Sequence, residues 1–380
     1  MSAAPSRRVS TAALAAVAVL GGAAVAMATT ADDDSAPTTS PVAADHRHQH
    51  PTSGAGTVWV ANEADGSLTA VDALTNEVVG TVSGIAGAHN VQSSPDGSRV
   101  WAVSGHASAV ALVDVEQLKV LGAASTGSAP AHVVVTPDGR STYVTNGADD
   151  TVSVIDSSSM ADVATVPVGD SPHGLRPSPD GRWVYVANTG GGSVSVIDTG
   201  LNTTVAEIRV GRSPAQVAFS PDGRFCYVSL NGEDAVAKID VSRRRVVGEV
   251  KVGNGPVQTF VSPDGQRLLV ANQGTEDRPG ATVSVVDTDA FRVTGSVRTG
   301  AGAHGVTVDP AGDRAYVTNL YADDLAVIDL DSLEVVARVP VGDSPNGVTF
   351  STATTAGGSA TAQLPGEHDA DGHAHEHGAH

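Results

Sequence analysis

A single cysteine, Cys226, is present in 380 residues, so no internal disulfide can form even in an oxidising compartment. It stands in an apolar run with Arg224 as its one nearby cation, which predicts an inert buried thiol. Aromatic residues make up only 3 % of the chain, and 22 Lys and Arg face 42 Asp and Glu for a formal net charge of −20. Nucleic-acid binders gather phosphate-neutralising cations on one face, so DNA and RNA are not expected partners. The overall field favours cations or a basic protein surface. Long amphipathic helices are missing, and past residue 28 no apolar run is long enough to span a bilayer. There is no Gly-x-Ser-x-Gly elbow, His-Glu-x-x-His pair, phosphate-binding loop, haem attachment pair or complete calcium loop, and Asp369-x-Asp371-Gly372 is too short for the last.

What is abundant is turn chemistry, with 42 Gly and 20 Pro. Residues 214–231 set two apolar runs around Ser220-Pro221-Asp222-Gly223, where proline fixes one backbone angle and glycine supplies another that side chains resist. The turn recurs at Pro95, Pro137, Pro179, Pro221 and Pro263, always 42 residues apart, and in degenerate form at Pro310, 47 residues on. Such a period predicts a repeat array.

Each unit carries four strand signals, seen best at residues 214–220, 224–229, 235–240 and 246–252 as Val, Ile, Ala and Tyr in short runs. Second-to-fourth strands recur in seven sets from residue 57, and first strands in seven from residue 86, so the chain opens on a second strand and closes on a first. The fold class predicted is all-β: a seven-bladed β-propeller of four-stranded blades, closed by residues 345–351 pairing with the blade begun at Thr57.

The phrases Tyr143-Val144-Thr145-Asn146, Tyr316-Val317-Thr318-Asn319 and Val184-Tyr185-Val186-Ala187-Asn188, with Val-Ile-Asp ending at Asp156, Asp198 and Asp329, resemble the YVTN β-propeller repeat family over about residues 56–351. The resemblance implies the propeller fold. Its relatives include surface and periplasmic proteins, and related propellers act as lactonases or quinoprotein dehydrogenases, so it does not by itself assign an activity. The sequence departs from the repeat at Val103-Ser104-Gly105, at Ser229-Leu230-Asn231 and in an insertion at residues 276–280.

Arg7 and Arg8, an apolar run over residues 12–25 and Ala26-Met27-Ala28 have the layout of a cleaved signal peptide, residues 1–28. A periplasmic, extracellular or cell-surface location is expected, with no membrane span after cleavage. Residues 29–55 read as a disordered tether, 56–351 as the propeller and 352–380 as a disordered histidine-rich tail.

The turn prolines serve as a ruler. Six residues before each, or its equivalent, stand His89, Ala131, His173, Ala215, Val257, His304 and Asn346, and one position on stand Asn90, His132, Gly174, Gln216, Gln258, Gly305 and Gly347. Because first strands line a propeller's channel, His89, His173 and His304 are predicted on one ring at close to an even three-way spread, with His132 as a fourth ligand or a supporting group. Three imidazoles with a coordination position left open suit Zn²⁺ or Cu²⁺, although a channel histidine can equally hydrogen-bond a carbonyl or water. His46, His48 and His50 before the array, and His368, His373, His375, His377 and His380 after it, are compositional signals for Zn²⁺, Ni²⁺ or Cu²⁺ capture. No organic cofactor is expected.

Loops between second and third strands carry Glu63, Asp65, His106, Asp149, Asp150, Glu233, Asp234, Glu276, Asp277, Asp323 and Asp324, an acidic rim that turn chemistry alone could produce. The Asp recurring once per blade, from Asp72 to Asp329, reads as architectural. The function expected is that of an exported, monomeric, non-enzymatic metal-binding propeller, storing an ion or handing it to a metal transporter's binding protein. A cell-surface scaffold meeting a basic protein partner is the first alternative. A lactonase-like or oxidoreductase enzyme working at the channel mouth is the second.

Overall fold

The computed structural model describes residues 54–365, which form seven sheets, antiparallel but for one added strand, and none of its helices is long and apolar enough to cross a membrane. The predicted signal peptide, most of the tether and the eight tail histidines lie outside the described residues. In the repeat taken as reference the strands are Pro214–Phe219, Phe225–Leu230, Ala235–Asp240 and Arg245–Lys251, within a residue of expectation. Innermost strands and their neighbours are buried on both faces, as in Thr57–Asn62, whereas outer strands such as Thr203–Arg209 bury little. Valine-rich runs inside and mixed polar runs outside are therefore one gradient of burial.

The ring closes as predicted. Pro345–Ser351 pairs antiparallel with Thr57–Asn62, joining Thr57 to Ser351 and Val60 to Val348 in the same sheet as Ser67–Asp72 and Val78–Ser83. That sheet is the first blade, and the blade that begins with Ala88–Ser93 is the second. In the repeated turn Ser220 Oγ donates to Asp222 Oδ1 at 2.6 Å and accepts from Phe225 N–H, while Gly223 takes φ +68°. The per-blade aspartates accept backbone N–H groups two and three residues on, as Asp156 does from Ser158 and Ser159. That is the architectural role expected of them.

One feature departs from expectation. The chain does not leave the fold at Ser351: Gly358–Thr361 adds a fifth strand, parallel to Val78–Ser83, and Ala362 and Leu364 are buried with Ile85 and Leu118. Small Ala, Thr and Gly residues carry no periodicity there, and the stretch is ordered by an existing sheet edge instead of its own pattern. The insertion expected at residues 276–280 lengthens a hairpin, Arg267–Thr275 with Arg278–Asp287. Cys226 is fully buried, and burial pushes its thiol pKa up.

Candidate metal centre

Every innermost strand carries the same irregularity. Between Ala88↔Ser104 and Val91↔Ala102, residues 89 and 90 face the single residue Val103, and the same two-against-one bulge recurs in the other six blades. A regular strand would turn one of the two residues away from the axis; the bulge lets both reach it. Volumes are traded between them: beside Gly174 a Cβ would sit 2.5 Å from the Ala215 carbonyl oxygen, and beside Gly347 it would sit 2.7 Å from Asn90 Cα. Bulge N–H groups of His132, Gln216 and Gly305 donate to Thr145, Ser229 and Thr318 hydroxyls, and those hydroxyls donate to carbonyls of the next blade.

Four imidazoles meet at this level. Ring centroids lie 5.4 Å apart for His89 and His173, 5.6 Å for His89 and His132, 4.6 Å for His132 and His173, and 6.4 Å for His89 and His304. His89, His132 and His173 each bring one nitrogen within 4.8 Å of the other two. The converging trio is thus not the His89, His173 and His304 set read from the sequence: His132 takes the third place, because the bulge brings the adjacent position to the axis. His304 is buried on the far side of the first blade's Asn346, its Nδ1 3.3 Å from the Asn346 carbonyl oxygen.

Hydrogen bonds fix the protons. His173 Nδ1 lies 3.0 Å from the Ala215 carbonyl oxygen, which can only accept, so Nδ1 carries the hydrogen and Nε2 offers a lone pair; His304 is held in the same tautomer by Asn346. His173 Nε2 is 3.3 Å from His89 Nε2. At His132, Gln216 Oε1 already accepts the Val217 N–H, so its amide nitrogen faces Nδ1 at 3.3 Å, and Nε2 is buried with no partner among the described residues.

Burial keeps three of the rings neutral. Burial foremost, then the neighbouring imidazoles, pushes His132 well down; burial likewise brings His173 to about 4 and His304 to about 3. Neutral imidazole is the metal-binding form. The opposite charge stands beside it: Glu63, held to about 2 foremost by its hydrogen bond with His89, lies 3.4 Å from His89 Nδ1 and accepts from Asn346 Nδ2 at 2.7 Å.

Most of the remaining acidic rim is engaged in holding loops. Asp65 accepts from Asp343 N–H, Asp149 from Ser128, Asp150 from Ser171, Glu233 from Arg212, Asp234 from Gly255 and Asp323 from Ser344. These contacts place the loops between second and third strands at the channel mouth, as expected, and account for most of their carboxylates by loop geometry. The ruler passed over a second ring, three residues further along each strand: Gln92, Val134, Arg176, Ala218, Phe260, Thr307 and Thr349. Its cation, Arg176, was legible in the same register.

Residues 192–355 match the family model of YNCE-like β-propellers, and residues 140–229 match that of the cytochrome D1 heme domain. No curated protein sequence matches the chain. Among solved structures, hydrazine synthase of Kuenenia stuttgartiensis is 26% identical, with 72% of this chain covering 96% of that one at a TM-score of 0.64. A protein of unknown function from Desulfotomaculum acetoxidans is 17% identical over 78% of this chain and 99% of its own, with a TM-score of 0.68. A candidate 6-phosphogluconolactonase from Bacteroides fragilis, 17% identical, covers 80% and 99% with a TM-score of 0.67. The last two share the fold alone. Seven four-stranded repeats and the closing strand make this chain a seven-bladed β-propeller, and the Tyr-Val-Thr-Asn phrases with the family model matched over residues 192–355 mark its likeness to YVTN-repeat, YNCE-like propellers.

Proposed function

We propose that the propeller is an exported, non-enzymatic metal-binding protein that holds one Zn²⁺-like divalent ion at its channel mouth on His89, His132 and His173. The observation that carries this is the approach of three imidazole nitrogens to within 4.8 Å in a site where His132 Nε2 is buried and unpartnered among the described residues. Tetrahedral coordination with bonds of about 2.0–2.1 Å separates ligand nitrogens by about 3.3 Å. The His89 and His173 nitrogens already stand at 3.3 Å. His173, locked by a backbone carbonyl, and His89, beside Glu63, have the outer partners that orient metal-bound imidazoles. His132 would bind through Nε2 with its proton on Nδ1, which requires the Gln216 amide to turn over and present Oε1. The histidine tracts at both ends would gather the ion and pass it to this site.

The test is calorimetric Zn²⁺ titration of the mature chain in which the eight tail histidines are replaced by alanine. One ion per chain bound more tightly than about 10 μM, worth about 7 kcal/mol, is expected, and His132→Asn should abolish it. Failure of the tail-substituted chain to bind at that level would overturn the assignment.

A further inference from the structure

Past the histidines lies a cavity of about 270 Å³, in the half nearer the Ser-Pro-Asp-Gly turns. It is lined by Arg176, Gln92, Phe260, Val348 and the hydroxyl-bearing Thr259 and Thr307, and no carboxylate lines it. Arg176 is surrounded by protein with only part of its surface open to the lumen, and burial alone lowers its pKa, to about 10. Its single hydrogen bond among the described residues runs from Nη1 to Gln92 Oε1 at 3.0 Å, and Gln92 is itself oriented by donating to the Ser93 carbonyl. A guanidinium has five N–H donors in a rigid fork, so the remainder have no protein acceptor among the described residues. Thr259 Oγ1, from a strand two blades further round the ring that also lines the cavity, is buried without a partner among the described residues. A guanidinium largely enclosed by protein, with no carboxylate on the cavity wall and one protein hydrogen bond among the described residues, is costly to keep and is stabilised by pairing with an anion.

We propose that this cavity binds a small organic carboxylate, its oxygens on the Arg176 fork and Thr259 and its apolar body against Phe260 and Val348. One positive charge matches a monoanion, whereas a phosphate dianion would remain half uncompensated, and a planar carboxylate fits the guanidinium in bidentate fashion. The site is independent of any metal at the channel mouth.

Fluorine NMR of a fluorobenzoate, with benzoate, butyrate, inorganic phosphate and chloride as competitors at constant ionic strength, tests this on the full chain in the presence of a chelator. Saturable binding displaced by benzoate and butyrate is the expected result. Arg176→Met should weaken it about a hundredfold or more, the cost of leaving a desolvated carboxylate without its cation. Arg176→Lys, which keeps the charge and loses the fork, should give an intermediate loss. The wild-type measurement stands even if either variant folds poorly. Absence of carboxylate binding to the wild type, displacement by phosphate in preference to carboxylates, or undiminished binding by a folded Arg176→Met chain would each overturn the proposal.

Discussion

Replacing His304 by asparagine should flatten the acid limb of the stability curve. The imidazole is 4 % exposed and its pKa is brought by burial from 6.5 to about 3, so it enters the fold uncharged. A depressed folded pKa gives stability that is fully present above the unfolded value and lost as pH falls toward the folded one, because the unfolded chain takes up the proton first. From about pH 7 to about pH 5 the unfolded imidazole becomes almost fully protonated while the folded one stays neutral, which removes about 2 kcal/mol. Asparagine keeps a nitrogen donor near the Asn346 carbonyl and does not titrate, so the cavity it leaves costs the same at both pH values. Urea unfolding followed by circular dichroism, with chelator present, should show the wild type losing about 2 kcal/mol more than the variant between those pH values. Equal losses would refute the reasoning, since the buried ring would then not be the group excluding the proton.

Three further outcomes follow from packing. Gly174→Ala places a methyl group against the Ala215 carbonyl 2.5 Å away and should destabilise the fold by about 1–3 kcal/mol in thermal melts, with the channel ring distorted. Leu364→Ala removes a side chain that is 6 % exposed and should cost about 2 kcal/mol in urea unfolding, showing that the strap after Ser351 belongs to the fold. Cys226 should be inert to a thiol reagent in the native protein and react fully once denatured, as its complete burial and raised pKa require.

The architecture was legible because it is written in local chemistry. Each Ser-Pro-Asp-Gly turn forms its own hydrogen bonds, each run of valines declares a buried strand, and repetition at 42 residues multiplies a weak signal. The histidines were legible as a ring, but their partnership was not. A bulge brings two successive residues to one side of a strand, and nothing at Ala131-His132 distinguishes it from regular alternation. The strap at residues 352–364 escaped notice because its order comes from the edge of Val78–Ser83, a partner some 280 residues away in sequence. Arg176 is inconspicuous in the sequence for a different reason. A single cation in a strand reads as a solvated side chain until closure of the ring encloses it.

That closure also makes the channel mouth a test of the molecule's wholeness. Glu63, in the first loop of the array, and Asn346, in the last repeat strand, meet at 2.7 Å across 283 residues of chain, and Asn346 reaches on to His89 at 3.1 Å. Bringing ends that far apart together costs about 5 kcal/mol of chain entropy before any contact is made, so this junction forms late and slowly. Until it does, the edge of Thr57–Asn62 is bare and the polar clasp over His89 is missing. A nascent, nicked or truncated ring would therefore lack the complete site: the side chains that set the chemistry of the mouth also report that the last strand has arrived.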